Sequence, residues 1–88
     1  MKTFTVYRKN DISATHDSNQ VNAPDLPQYE GAVFDDGHCV LHWLTAKSSI
    51  SVWDSFADAM AIHGHPEYYT EIVWGDGKAE VLQSKDRV

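Results

Sequence analysis

Two short alternating runs, Glu30–Asp35 and His38–Leu44, meet at the dipeptide Asp36-Gly37. A two-residue type I′ turn needs φ > 0 at both central positions, and Asp-Gly is among the few pairs that tolerate this. The chain is therefore expected to fold back on itself here as a β-hairpin, and the rest of the fold must accommodate that hairpin. Taken as a two-residue turn, the hairpin pairs Phe34 with Cys39, Val33 with Val40 and Ala32 with Leu41. Phe34, Ala32, Cys39, Leu41 and Trp43 would then share the core face, with Val33, Val40, His38 and His42 on the other.

The flanking sequence supplies the partners of that hairpin. Thr3–Arg8 alternates, with Phe4 and Val6 on one face and Thr3, Thr5 and Tyr7 on the other, which is strand periodicity. Residues 9–28 carry no period and read as a long polar, Pro-punctuated connection, a length usually tied to function or mobility. Ser49–Trp53 is a further short strand. Ser55 with Asp58 three residues on is a capping signal, and Phe56, Ala59, Met60 and His63 follow at helical spacing. Gly64 stands where a left-handed C′ residue belongs, and Pro66 prevents continuation. Thr70–Trp74 and Lys78–Leu82 complete the set, joined by Gly75-Asp76-Gly77. The expected fold is a single α+β domain over residues 1–88, a small antiparallel β-sheet with one helix on a face, and a frayed tail at 83–88.

At 88 residues one core is all that such a chain builds, and a core of that size is marginal. Trp43, Trp53 and Trp74 are expected to supply much of it, and a homodimer would add burial. A single cysteine, Cys39, forms no internal disulfide, which suits a reducing cytoplasm. No apolar run approaches the ~20 residues of a membrane span, so no membrane partner is expected. The formal net charge is −6 and is concentrated. Residues 30–80 hold nine acids against Lys47 and Lys78. Direct nucleic-acid binding relies on Lys and Arg neutralising phosphates, so this chain has the wrong sign for it.

The candidate chemistry is sparse. His63-Gly64-His65 has metal-ligand residue types, yet Zn²⁺ needs three or four convergent ligands, and the setting is that of a helix terminus. His38 and His42 lie ~13 Å apart if both are on one strand, too far to chelate one ion. Cys39 falls on the core face, where a thiol behaves as a small hydrophobe. Ser48, Ser49 and Ser51 lack a nucleophile elbow, and Asp35 and Asp36 are explained by turn chemistry. No phosphate loop or dinucleotide fingerprint is present. The expectation is a protein with no cofactor and no catalytic residues. Tyr68 and Tyr69 are large amphipathic side chains just past Pro66, of the kind that anchors interfaces.

The series Gly31-x-x-Phe34-x-Asp36-Gly37, Leu41-x-Trp43-Leu44-Thr45, Ser51-x-Trp53-x-Ser55, Ile62-His63-Gly64-His65 and Thr70-x-Ile72-x-Trp74 resembles a group of small proteins of bacteriophages, prophages and actinobacterial genomes. Arg8 and Asp11 fit the same pattern, so the likeness spans roughly residues 4–75. It brings no established activity and implies a phage or mobile-element setting. The chain departs from the group at Ala14–Gln28, which is longer and lacks glycine, and at Pro66-Glu67-Tyr68-Tyr69, where small residues are usual.

Together these readings lead to an expectation of a phage-type interaction protein. It would bind and inhibit a host protein with a basic surface, such as a nucleic-acid-binding or defence protein, in the host cytoplasm. Tyr68, Tyr69, Glu67, Glu71 and Asp58 are the expected partner-binding residues. The rivals are a metal-binding module or metal-dependent enzyme built on His63 and His65, with Glu67, His16 or His38, and a small virion or assembly component.

Overall fold

A computed structural model describes residues 1–10 and 21–82. The strands are β1 (Lys2–Arg8), β2 (Tyr29–Val33), β3 (Cys39–Trp43), β4 (Ile50–Trp53), β5 (Thr70–Trp74) and β6 (Ala79–Val81). Helix α1 (Phe56–His63) and a 3₁₀ turn (Pro66–Tyr68) lie between β4 and β5. All neighbours pair antiparallel in one six-stranded sheet of order β4-β3-β2-β1-β5-β6. The middle of the long connection, with Asp11 and His16, and the tail at 83–88 lie outside the described residues.

The sheet order dictates where the core sits. β4 is an edge strand and β5 lies beyond β1, so the chain between them has to cross the sheet, and α1 runs over one face as it does so. That face carries Phe4, Val6, Tyr29, Cys39, Leu41 and Ile72, all buried with Ala59 of the helix. Phe56, Met60, Trp43, Trp53 and Trp74 pack around them. The helix has the expected bounds, and its first turn is capped as its sequence requires, with the Asp58 N–H donating to Ser55 Oγ at 3.0 Å.

Two expectations are corrected. The first is the hairpin register: Val33 pairs with Cys39, Ala32 with Val40 and Gly31 with Leu41, one residue away from the two-residue reading. Phe34 N–H donates to His38 O and Gly37 N–H to Phe34 O, so the loop is a type I turn followed by a left-handed glycine. Gly37 has φ 97°, and Asp36 Oδ1 accepts from the His38 N–H at 3.0 Å. Because strand side chains alternate, the one-residue shift moves Phe34 and Ala32 off the core face. Phe34 ends 43% exposed, whereas Cys39 and Leu41 stay buried. The β5–β6 hairpin repeats the same bonds, from Trp74 N–H to Lys78 O and from Gly77 N–H to Trp74 O, with Gly77 at φ 91°.

The second correction is at the helix end. Gly64 is right-handed, at φ −69°, and the left-handed residue is His65, at φ 46°. What Gly64 supplies is space: a Cβ there would fall within 3 Å of the Met60 carbonyl oxygen.

Candidate functional site

Strand periodicity carries Arg8 to the same face as Phe4 and Val6, but at the end of β1, past the cover of the helix. It is only 7% exposed. Beside it lies the turn from His65 to Tyr69, whose first and last residues are both left-handed, Tyr69 at φ 51°. Such backbone is uncommon for residues other than glycine and costs about 1–2 kcal/mol each, so the surroundings must hold it. They do: Lys9 N–H donates to Tyr69 O, Asn10 N–H to Tyr68 O, and Thr70 Oγ1 to His65 O. The turn is thereby tied to the end of β1 and points its two tyrosines in different directions.

Tyr68 turns inward, with the Arg8 guanidinium 5.4 Å from its ring centroid, and the same guanidinium lies 5.8 Å from the centroid of Trp43. His65 stacks on Tyr68 at 5.0 Å between centroids and 23° between planes, and its Nδ1 meets Glu67 Oε2 at 3.2 Å. Arg8, Trp43, His65 and Tyr68, with Val21, Thr45, Lys47 and Ser49, line a cleft of about 320 Å³. Tyr69 turns outward and is 60% exposed. Glu67 and Glu71 stand two residues to either side of it, the latter 3.5 Å from Lys9 Nζ. Asp58 does not join them, being in the first turn of α1 beside β4.

The two histidines of His63-Gly64-His65 do not converge. His63 sits edge-on between Trp43 and Trp53, at 5.0 and 5.4 Å, while His65 faces Tyr68. Among the described residues no three His, Cys, Asp or Glu side chains are placed to hold a metal ion. His38 pairs with Asp36, its Nδ1 3.0 Å from Oδ2, and His16 lies outside the described residues. Cys39 is fully buried, and burial pushes its thiol pKa up.

Burial holds the His63 pKa below its ordinary value, with the nearby charges of His65 and Arg8 adding to the effect. An unfolded histidine titrates near ~6.5. Below that pH the unfolded chain takes up a proton that the folded one resists, so stability is fully present above it and falls as pH drops toward the folded pKa. Urea melts at pH 7.5 and 5.5 should give a lower midpoint at the acid pH. A His63→Phe variant should lose part of that difference.

One grouping is invisible in the sequence. Ser48 Oγ lies 3.3 Å from His42 Nε2, and His42 Nδ1 lies 3.1 Å from Glu30 Oε2. The order resembles a nucleophile, a base and an orienting carboxylate. However, Ser48 donates its proton to the Trp43 carbonyl at 2.6 Å, so Oγ offers His42 an acceptor. A nucleophile being activated would instead hand its proton to the base.

Residues 1–76 match the family described as Acb5 phage protein. The chain belongs to that family. No curated protein and no solved structure matches it significantly. The Acb5 match covers every strand but β6 and both tyrosines of the turn. No helix among the described residues of this Acb5 phage protein is long and apolar enough to cross a membrane.

Proposed function

We propose that this phage protein acts by binding and inhibiting a host protein with a basic surface, in the host cytoplasm, and catalyses no reaction itself. A host protein that handles nucleic acid fits best, because its basic surface is complementary to a chain whose residues 30–80 hold nine acids against two lysines. The observation that carries the reading is Tyr69. It is a large, exposed aromatic on a turn of costly backbone tied to β1 by hydrogen bonds. Anchors of this kind lose little freedom on binding, and backbone held in sparsely populated conformations clusters at functional sites. Acids steer the encounter, and a desolvated aromatic supplies affinity.

Affinity capture from host lysate identifies the partner, and its binding is then measured at two salt concentrations. The on-rate should fall as salt rises, and Tyr69→Ala should weaken binding by about tenfold or more. Binding indifferent to both would remove this surface as the interface.

A further inference from the structure

Among the described residues the sheet has two edges, β4 and β6, and they are finished differently. An unpaired edge invites another strand, and proteins guard against this with charge, shortness or a bulge. β6 has only three residues, and its Glu80 lies opposite Ile72, so a carboxylate stands on the face that carries the core. β4, Ile50-Ser51-Val52-Trp53, contains no charge and no proline. Its register sets Ile50 beside His42 and Val52 beside Val40, on the face opposite to buried Cys39 and Leu41. Ile50 is 68% exposed and Val52 71%. Between this edge and α1 lies a groove of about 450 Å³, lined by Val52, Trp53, Asp54, Asp58, Ala61 and Ile62. Ile62 is 58% exposed as well, so three large aliphatic side chains stand open along one edge.

The backbone of β4 says what this edge accepts. Trp43 N–H donates to Ser49 O, and Leu41 pairs with Ser51 and Cys39 with Trp53. Hydrogen-bonded and non-hydrogen-bonded pairs alternate along an antiparallel ladder, so Ser49, Ser51 and Trp53 turn their backbone groups to β3. Ile50 and Val52 turn theirs outward, an N–H and a C=O each. A second β4, antiparallel and centred on Ser51, matches all of these groups. Ile50 of each copy then exchanges two hydrogen bonds with Val52 of the other, and their side chains meet on the outer face. An axis through Val52 would instead press the Asp54 carboxylate against Ile50, and one through Ile50 would leave Val52 against Ser48, outside the strand. Charge favours the Ser51 axis too. It sets Asp54, whose side chain is 93% exposed, level with Ser48 of the second copy and beside Lys47, so that opposite signs meet.

We propose that β4 is a self-pairing edge, at which two copies of this chain join antiparallel about a two-fold axis through Ser51 into one continuous sheet. Such an interface is self-complementary, each copy giving the same residues. Main-chain hydrogen bonds hold the strands together, and Ile50 and Val52 supply the apolar burial. Ile62 borders the groove into which the second strand fits. A core that covers one face of a small sheet is marginal, and the added burial stabilises it. The proposal is independent of the protein-partner reading, which rests on Tyr69 at the turn ahead of β5.

Sedimentation velocity of the full chain, from micromolar to submillimolar concentration, should show a monomer–dimer equilibrium. Val52→Lys puts a guarding charge on the edge and should raise the dimer dissociation constant about tenfold or more, with folding checked by circular dichroism. Ile50→Lys takes its place if that variant does not fold. Val81→Lys, on the far edge, should leave the equilibrium unchanged. Oxidative cross-linking reads the register. Ser51→Cys should cross-link between copies, because a non-hydrogen-bonded pair brings its Cα atoms to ~4.5 Å, within disulfide reach. Val52→Cys, placed opposite Ile50, should cross-link several-fold less, and Cys39 is fully buried and does not compete. The proposal is overturned if the wild type is monomeric throughout, if the folded lysine variants dimerise like it, or if Val52→Cys cross-links as readily as Ser51→Cys. A monomer that loses a captured host protein through Val52→Lys would overturn it too, and would give the edge to a foreign strand.

Discussion

Trp43→Ala should destabilise the protein by about 3 kcal/mol, and Phe34→Ala by well under 1 kcal/mol. The contrast follows from the register of the β2–β3 hairpin. Trp43 packs on Tyr29 at 4.5 Å between centroids, meets the edge of His63 at 5.0 Å and lies under Arg8. Removing it leaves a hole that these neighbours cannot close, and the cavity adds to the lost transfer energy. Phe34 has no such surroundings, because it sits in the turn and is 43% exposed. For a domain of this size, 3 kcal/mol corresponds to a drop in Tm of roughly 12–24 °C. Thermal melts of the two variants measure the difference directly. Equal losses would mean that the hairpin pairs as a two-residue turn, with Phe34 in the core.

Gly31→Ala should cost a similar amount, about 3 kcal/mol, the upper end of the range for overpacking. Gly31 lies in the middle of the sheet, paired with Phe4 on β1 and Leu41 on β3. The Phe4 ring crosses directly over it, to meet Phe56 and Trp74 at 5.3 and 5.4 Å. A Cβ at Gly31 would come within 3 Å of both that ring and the Val40 carbonyl oxygen. The ring can move, but the carbonyl belongs to the sheet backbone and cannot. Denaturant unfolding of Gly31→Ala and of the double variant Gly31→Ala/Phe4→Leu separates the two clashes. The smaller side chain should recover part of the loss and leave the backbone part. A Gly31→Ala variant as stable as wild type would refute the close approach.

The local signals in the chain were largely legible because each acts over a few residues. Ser55 with Asp58 marks the start of α1 and Pro66 its limit, and the helix occupies Phe56–His63. The alternation of Phe4 and Val6 placed both in the core. The hairpin was legible as a hairpin but not in its register. Asp-Gly serves both a two-residue turn and a type I turn with a left-handed glycine, and the choice rests on hydrogen bonds made around the loop. One residue of difference exchanged the core and solvent faces for Phe34 and Ala32. The same alternation that buries Phe4 and Val6 also carries Arg8 inward, so the floor of the cleft had a signal in the sequence. Its walls did not.

What the sequence determined by itself was the menu of elements, their order, the acid-rich middle and the absence of familiar catalytic and phosphate-loop motifs. Each of these is a property of neighbours along the chain. The tertiary structure alone decided that β1 lies between β2 and β5. That placement brings Arg8 of the first strand to Trp43 of the third and to Tyr68 ahead of the fifth. It also ties the left-handed turn to β1, so that one tyrosine faces the cation and the other faces solvent. Contacts between residues sixty positions apart depend on which strands pair and in what register. Pairing is decided by the burial of the whole core at once, not by any local run of residues.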